Sequence, residues 1–230
     1  MSTACENNQR KIEIIYQDQA LAVLNKPGGL VVLRGPTVRE KTLQDWVENN
    51  LGIDIAGRAG IVHRLDKGTW GLILVAKNQQ AFDTLQRQFK ERRVEKTYWA
   101  LVRGRPPIEG EIVAPIGRSP GRRLKFAVVP GGKAAKTSYR VMKEVIVNSE
   151  EYTLVEVRPK TGRTHQIRVH FQYLGHPIFG DVLYGGRKER GRPLFLVAKE
   201  ISFAHPETRE EISFRIDLPK ELKSLLANTS

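Results

Sequence analysis

From residue 94 to residue 158 the chain carries five strand-like segments in succession, at 94–102, 112–116, 124–129, 137–147 and 152–158. No helical pattern lies between them, and turns such as Ser119-Pro120-Gly121 and Pro130-Gly131-Gly132 make the connections. Neighbouring parallel strands need a crossover of about a dozen residues, usually a helix, whereas antiparallel strands need only a turn. The run therefore argues against a doubly wound α/β fold. It predicts an α+β fold built on a mixed, largely antiparallel sheet.

The rest of the chain fits around that sheet. Strands are expected at 11–16 and 20–25, before the turn Lys26-Pro27-Gly28-Gly29. A helix over 42–50 would place Leu43, Trp46 and Val47 on one face. After a buried strand at 72–77, Asn78 can cap a helix whose apolar stripe is Phe82, Leu85 and Phe89. Thr164 is expected to cap a helix running to Leu174, with Gly175 as its stop. Strands at 194–203 and 211–216 and a short helix at 219–226 complete the reading. With no repeat, low-complexity block or linker, the chain reads as one unit over 11–230 behind a disordered tail at 1–10.

Charge narrows the function. The 230 residues hold 38 Lys and Arg against 25 Asp and Glu, a net charge of +13. Between residues 87 and 143 there are 15 Lys and Arg against 4 Asp and Glu, so a surplus of 11 is concentrated there. A local excess of that size points to a polyanionic partner, nucleic acid first. No apolar stretch approaches a membrane span, and the N-terminus has no signal-peptide core, so a cytoplasmic protein without membrane contact is expected. The single Cys5 rules out an internal disulfide and a cysteine zinc site.

Three segments carry candidate chemistry. In the first, Gly60-Ile-Val-His-Arg-Leu-Asp-Lys-Gly-Thr-Trp-Gly71, glycines surround Asp66, with His63, Arg64 and Lys67 beside it. Glycines let another molecule approach the backbone, and positive neighbours favour the carboxylate anion, which can act as nucleophile or general base. A structural role as a turn-capping or Arg64-paired Asp is equally compatible with this segment alone. The segment is not a kinase loop, because Leu65 interrupts His-Arg-Asp, and the chain holds no P-loop. In the second, 160–170, His165 and Arg168 share a polar helical face, and Arg163 with the backbone N–H groups could take a phosphate. His165 and His170 are five apart, off the spacing of a helical metal pair, so no metal is expected. In the third, 95–102, strand alternation puts Lys96 and Tyr98 on one face and Trp99 on the other. Trp99 is expected in the core, which leaves Tyr98 on an open face able to stack on an extruded base.

Taken together, these segments resemble the RluA-type family of RNA pseudouridine synthases. His63-Arg-Leu-Asp66 with Thr69 and Gly71 is similar to that family's catalytic-Asp motif, and Lys96-x-Tyr98-x-Ala100-x-Val102 to its base-stacking strand. Thr161-Gly-Arg-Thr-His-Gln-Ile-Arg-Val-His170, followed by Gly175-His-Pro-Ile-Phe-Gly-Asp181, resembles its third motif. The resemblance implies a sheet split by a central basic cleft with flanking helices. Asp66 would be the catalytic carboxylate in the cleft, Tyr98 would lie under the target base, and Arg168 would pair with Asp66. It implies isomerisation of uridine in a ribosomal RNA or tRNA stem-loop, with no cofactor, by a protein expected to be monomeric. RNA contacts are expected from His63, Arg64, Lys96, Arg163 and His165. Further contacts are expected from Arg122, Arg123 and Lys125, in the basic stretch 118–140. Two features depart from the family. Trp70 stands where Ser is usual, and with ten residues before the first strand no S4-type RNA-binding domain is expected.

Overall fold

A nine-stranded sheet organises the protein, whose computed structural model describes residues 11–121, 125–186 and 189–227. In chain order the elements begin with β1 (Glu13–Gln17), β2 (Leu21–Lys26), α1 (Leu43–Leu51), β3 (Trp70–Ala76) and α2 (Gln79–Lys90). Then come β4 (Glu95–Arg103), β5 (Glu109–Val113), β6 (Ile116–Arg118), β7 (Phe126–Val128), β8 (Lys136–Val147) and β9 (Glu150–Pro159). α3 (Gln166–Tyr173), β10 (Leu196–Ala204), β11 (Glu211–Arg215) and α4 (Lys220–Ala227) complete it. No helix among the described residues is long and apolar enough to cross a membrane.

The sheet runs β1-β2-β3-β10-β4-β9-β8-β5, with β11 also on β10 and with β6-β7 as a separate hairpin. Every pairing is antiparallel except β3 with β10, which meet only at Val197–Trp70 and Ala198–Gly71. This short parallel contact joins the two halves of the sheet immediately after the Asp66 loop. Gly71 is required there: its φ is +111°, and a Cβ would lie 2.3 Å from the Ala198 carbonyl oxygen.

Alternation along the strands feeds two buried layers. Leu21, Val23, Leu72, Leu74, Leu101 and Leu154 point toward α2 and α4, where Phe82, Leu85 and Leu222 complete one core. On the opposite face the core is divided. Ala22, Leu24, Ile73 and Val75 pack with Leu43 and Val47 of α1, whereas Ala100, Val102, Val155 and Val157 pack with Ile167 and Phe171 of α3. Tyr98 touches both of these clusters. Helices therefore cover both faces, and Tyr98 is partly buried between the α1 and α3 halves instead of lying on an open face. Trp99 packs against the first core, as the alternation implies.

Two local expectations change. The segment 112–116 is not one strand. Pro115 separates β5 from β6, its ring leaving no N–H for a ladder while its carbonyl accepts Val129 N–H at 3.1 Å. The third-motif helix starts at Gln166, one turn position later than a Thr164 cap would give. His165 takes the cap position with φ +56°, and its side chain makes no capping bond. Gly175, with φ +83°, follows the helix as expected.

Candidate active site

The Asp66 loop is clamped along its length before it reaches the sheet. Ile61 bridges to Val75, and His63 Nε2 accepts the Leu74 N–H at 3.0 Å. Leu65 is buried in the α1-side core, and the Thr69 N–H closes a turn on the Asp66 carbonyl at 3.0 Å. From the far side, Gly29 N–H donates to the Lys67 carbonyl at 2.8 Å. Lys26, fully buried at the end of β2, donates to the carbonyls of Pro27, Leu30 and Lys67 at 2.9, 2.9 and 3.2 Å. Burial pushes its pKa down to about 7 against the opposing charge of Asp66, while the three carbonyls match the three hydrogens of an ammonium. Trp70 fits this clamp, because it is buried and a Cβ on Gly28 would lie 2.4 Å from its indole ring.

Asp66 is 19% exposed, and among the described residues only one of its oxygens is held by an arginine. Arg168 Nη1 donates to Asp66 Oδ2 at 3.1 Å. The fork of the same guanidinium goes elsewhere, with Nε and Nη2 donating to the two oxygens of Asp181 at 2.7 and 3.0 Å. Asp181 is completely buried and also accepts the N–H groups of Leu183 and Tyr184, each at 3.1 Å. Burial works against the charge on Arg168, but Asp181 and then Asp66 hold the guanidinium above its ordinary pKa. The result is a charged side chain locked at one end, with a single N–H aimed at Asp66.

The other oxygen, Oδ1, lies 3.8 Å from His165 Nε2. His165 Nδ1 is 2.9 Å from the Tyr184 hydroxyl, which accepts the Phe126 N–H of β7 at 3.1 Å. Tyr184 also lies under Arg168, whose Cζ is 5.0 Å from the ring centroid. Burial lowers the pKa of His165, with Asp66 opposing and Arg168 adding to the shift.

Asp66, Tyr98, Arg168, His63, Arg64, Lys96, Arg163 and His165 all line one cleft of about 820 Å³, so eight of the expected site residues meet there. Their surroundings differ. His63 stacks on Phe89 with centroids 4.6 Å apart, and burial followed by the charge of Lys96 pushes its pKa down to about 3. The ring is neutral, with one nitrogen already committed to the backbone. Arg163 lines the cleft while its Nε donates to the Ala134 carbonyl at 3.1 Å. Burial and the Asp66 charge raise the pKa of Tyr98, which keeps its phenol protonated. His170 lies beneath the site, where Thr137 Oγ1 and the Ala114 carbonyl take its two nitrogens at 2.9 and 3.1 Å. Lys125 Nζ is 5.6 Å from the Tyr184 ring centroid, while Arg122 and Arg123 lie outside the described residues. Lys90, Arg92, Arg158 and Lys160 add further positive charge to the cleft walls.

Sequence reasoning gave no role to Lys26, Asp181 or Tyr184. A lysine ending a mostly apolar strand just before Pro-Gly-Gly was the available signal for the first. The latter two stand 13 and 16 residues beyond Arg168 in a loop without periodicity; Asp181 ends the stretch that resembles the family's third motif, but no pattern gives it a partner, and nothing marks Tyr184.

The chain matches the family described as RNA pseudouridylate synthase over residues 20–173. It is 43% identical to an RNA pseudouridine synthase of Chloroflexus aurantiacus, over 88% of this chain and 64% of that protein. It is 39% identical to the ribosomal large subunit pseudouridine synthase D of Neisseria meningitidis serogroup B, over 94% of this chain and 60% of that protein. The chain thus spans somewhat under two thirds of the length of these two relatives. The human RNA pseudouridylate synthase domain containing 1 superimposes with a TM-score of 0.79 at 30% identity, covering 96% of this chain and 88% of that one. The extent of the family match and the identities to these relatives establish that the chain belongs to the RNA pseudouridylate synthase family.

Proposed function

We propose that this protein isomerises uridine to pseudouridine in structured RNA, with Asp66 as the catalytic carboxylate, and that large-subunit ribosomal RNA is its substrate. The observation that carries the reading is the asymmetry at Asp66. One oxygen is held by an arginine that is itself fixed by a buried carboxylate, the other lies 3.8 Å from His165 Nε2, and the residue lines the basic cleft. The choice of RNA rests on the name borne by the Neisseria relative.

The reaction breaks the N1–C1′ bond, turns the uracil and joins C5 to C1′; the proton on C5 leaves and N1 gains one. No electrons are exchanged and no water is consumed. A base stacked in RNA must leave the stack to be reached, and cationic cleft walls can hold the backbone while it does so. Tyr98, in the floor between the two halves of the fold, offers its ring to the extruded uracil. The Asp66 oxygen that Arg168 does not hold is available to attack the base or sugar, or to take a sugar proton.

The direct test is to incubate the purified protein with unmodified large-subunit ribosomal RNA and with a tRNA pool, then map pseudouridines by chemical marking and sequencing. New pseudouridine at discrete ribosomal sites is expected. Modification confined to tRNA would overturn the choice of RNA, and none in either pool would overturn the activity. Tyr98→Leu, which keeps apolar volume but removes the aromatic face, should slow single turnover about 10-fold or more, since one stacked base is worth roughly 1–3 kcal/mol. RNA affinity should stay within a few-fold, because many phosphate contacts remain. An unchanged rate, with the melting temperature preserved, would rule out stacking on Tyr98.

A further inference from the structure

We propose that Tyr184 is a positioning residue: its hydroxyl ties the β6–β7 hairpin to His165 and holds the imidazole with its Nε2 hydrogen toward the unheld oxygen of Asp66. The inference rests on Asp66 being the reacting carboxylate and adds two residues that work through it.

Hydrogen counting supports the assignment. The Phe126 backbone N–H can only donate, so the Tyr184 oxygen is its acceptor at 3.1 Å. The phenol has one hydrogen of its own, and among the described residues the other polar atom it contacts is His165 Nδ1 at 2.9 Å. Donation to Nδ1 uses the lone pair of that nitrogen and leaves the neutral ring protonated at Nε2. Nε2 is the nitrogen 3.8 Å from Asp66 Oδ1. The opposite tautomer would face a lone pair toward a carboxylate, which is electrostatically worse. At 3.8 Å the contact is too long for a hydrogen bond, so the N–H flanks Oδ1 without engaging it. It is placed to close on that oxygen, or on a substrate oxygen, once uridine is bound.

The backbone supports the same reading. His165 is held at φ +56°, a conformation uncommon outside glycine and found most often at functional or tightly constrained positions. A regular helical φ would carry the ring elsewhere. Tyr184 meanwhile stacks under Arg168, so one side chain contacts the partners of both Asp66 oxygens. Phe126 adds its own ring edge to His165 at 5.8 Å between centroids. The hairpin, flanked by Arg118 and Lys125, is thereby hydrogen-bonded into the carboxylate's surroundings. RNA that displaces the hairpin would shift the imidazole as well.

Among the described residues, the charged groups facing His165 are Asp66 and Arg64 from the catalytic loop, Arg168 from its own helix, and Asp181 from the Tyr184 turn. Lys125 lies on the far face of the Tyr184 ring. The hydroxyl bond to Nδ1 exists only while the imidazole is neutral, so it adds to the burial that disfavours the cation. Protonation would place an imidazolium beside Oδ1 and pair it with the reacting oxygen. The rate should therefore fall as pH drops through the His165 pKa, and removing the hydroxyl should move that fall to higher pH.

The test is nitrogen NMR of the imidazoles of the full-length protein, with the His165 signals assigned by their loss in His165→Asn. Asparagine tolerates the left-handed backbone and so preserves the loop. The wild type should show His165 protonated at Nε2. Tyr184→Phe keeps the ring under Arg168 and removes only the hydroxyl. It should populate the Nδ1 tautomer and raise the acid limb of the single-turnover rate by roughly half a pH unit or more, the shift one hydrogen bond supports. At neutral pH and saturating RNA the rate should fall about 5- to 30-fold, with RNA affinity changed less than about 3-fold. A wild-type ring protonated at Nδ1 would overturn the proposal. So would a Tyr184→Phe protein with unchanged tautomer and pH limb, or one that loses affinity but not rate. The tautomer is read without turnover, so this result is independent of whether Asp66 itself proves catalytic.

Discussion

Asp66→Asn is expected to reduce pseudouridine formation to below about one per cent of the wild-type rate, while RNA binds within a few-fold of its usual affinity. A lost nucleophile or general base usually costs 10²-fold or more, and a near-isosteric amide isolates that loss. The structure allows the chemistry to be separated from the fold here. Asp66 is 19% exposed, and its partner Arg168 keeps both bonds to Asp181 when the charge at position 66 is gone. The asparagine carbonyl can still accept from Arg168 Nη1. The loop is held by Lys26, Gly29 and the His63–Leu74 bond, none of which involves the Asp66 side chain. Stability should therefore move by no more than about 1 kcal/mol, the usual range for a partly exposed polar change. Single-turnover kinetics with a urea melt of the same sample check both halves. Activity above a few per cent of wild type would remove Asp66 from the chemistry. A collapse of stability would make it a structural residue.

What could be read in the sequence was whatever depends on local periodicity. The unbroken run of strands from 94 to 158 has its counterpart in the antiparallel ladders of β4, β9, β8 and β5. Asn78 caps α2 by accepting the Ala81 N–H at 2.8 Å, and Phe82 and Leu85 face the core. Partners chosen over long separations were not legible. β10 arrives from beyond residue 195 to lie between β3 and β4, a placement no local pattern encodes. Tyr98 was placed on an open face because alternation tells one side of a strand from the other but not what covers each side. Helices lie on both faces of the sheet, and Tyr98 packs against both the α1-side and α3-side cores while still lining the cleft. Arg168 was expected to pair with Asp66, and a single N–H of its guanidinium does so. The fork instead goes to Asp181, a carboxylate that only the folded loop brings within reach.

That last difference changes why Arg168→Lys should be damaging, and makes it the second large effect. A forked grip on Asp66 would make the substitution mainly a loss of catalytic geometry. In the actual arrangement Arg168 spans two carboxylates, three of its nitrogens serving Asp181 twice and Asp66 once. An ammonium is a point charge on a thinner stem and cannot hold a bidentate partner while also reaching a second acceptor. Lysine at 168 must favour one, and the buried Asp181, at 0% exposure, would pay most for losing its partner. Leaving a buried charge uncompensated typically costs about 3–5 kcal/mol, so the ammonium should settle on Asp181 and abandon Asp66. The expected result is a folded but less stable protein whose single-turnover rate falls by about 10²-fold or more. Asp181→Asn offers the complementary test, because it weakens the fork while leaving Arg168 Nη1 free to stay on Asp66. It should reduce stability more than Asp66→Asn does, and reduce rate by letting the guanidinium move. If Arg168→Lys keeps the wild-type rate, the guanidinium does not aim the carboxylate. If Asp181→Asn is as stable as wild type, the buried pair is not what fixes Arg168.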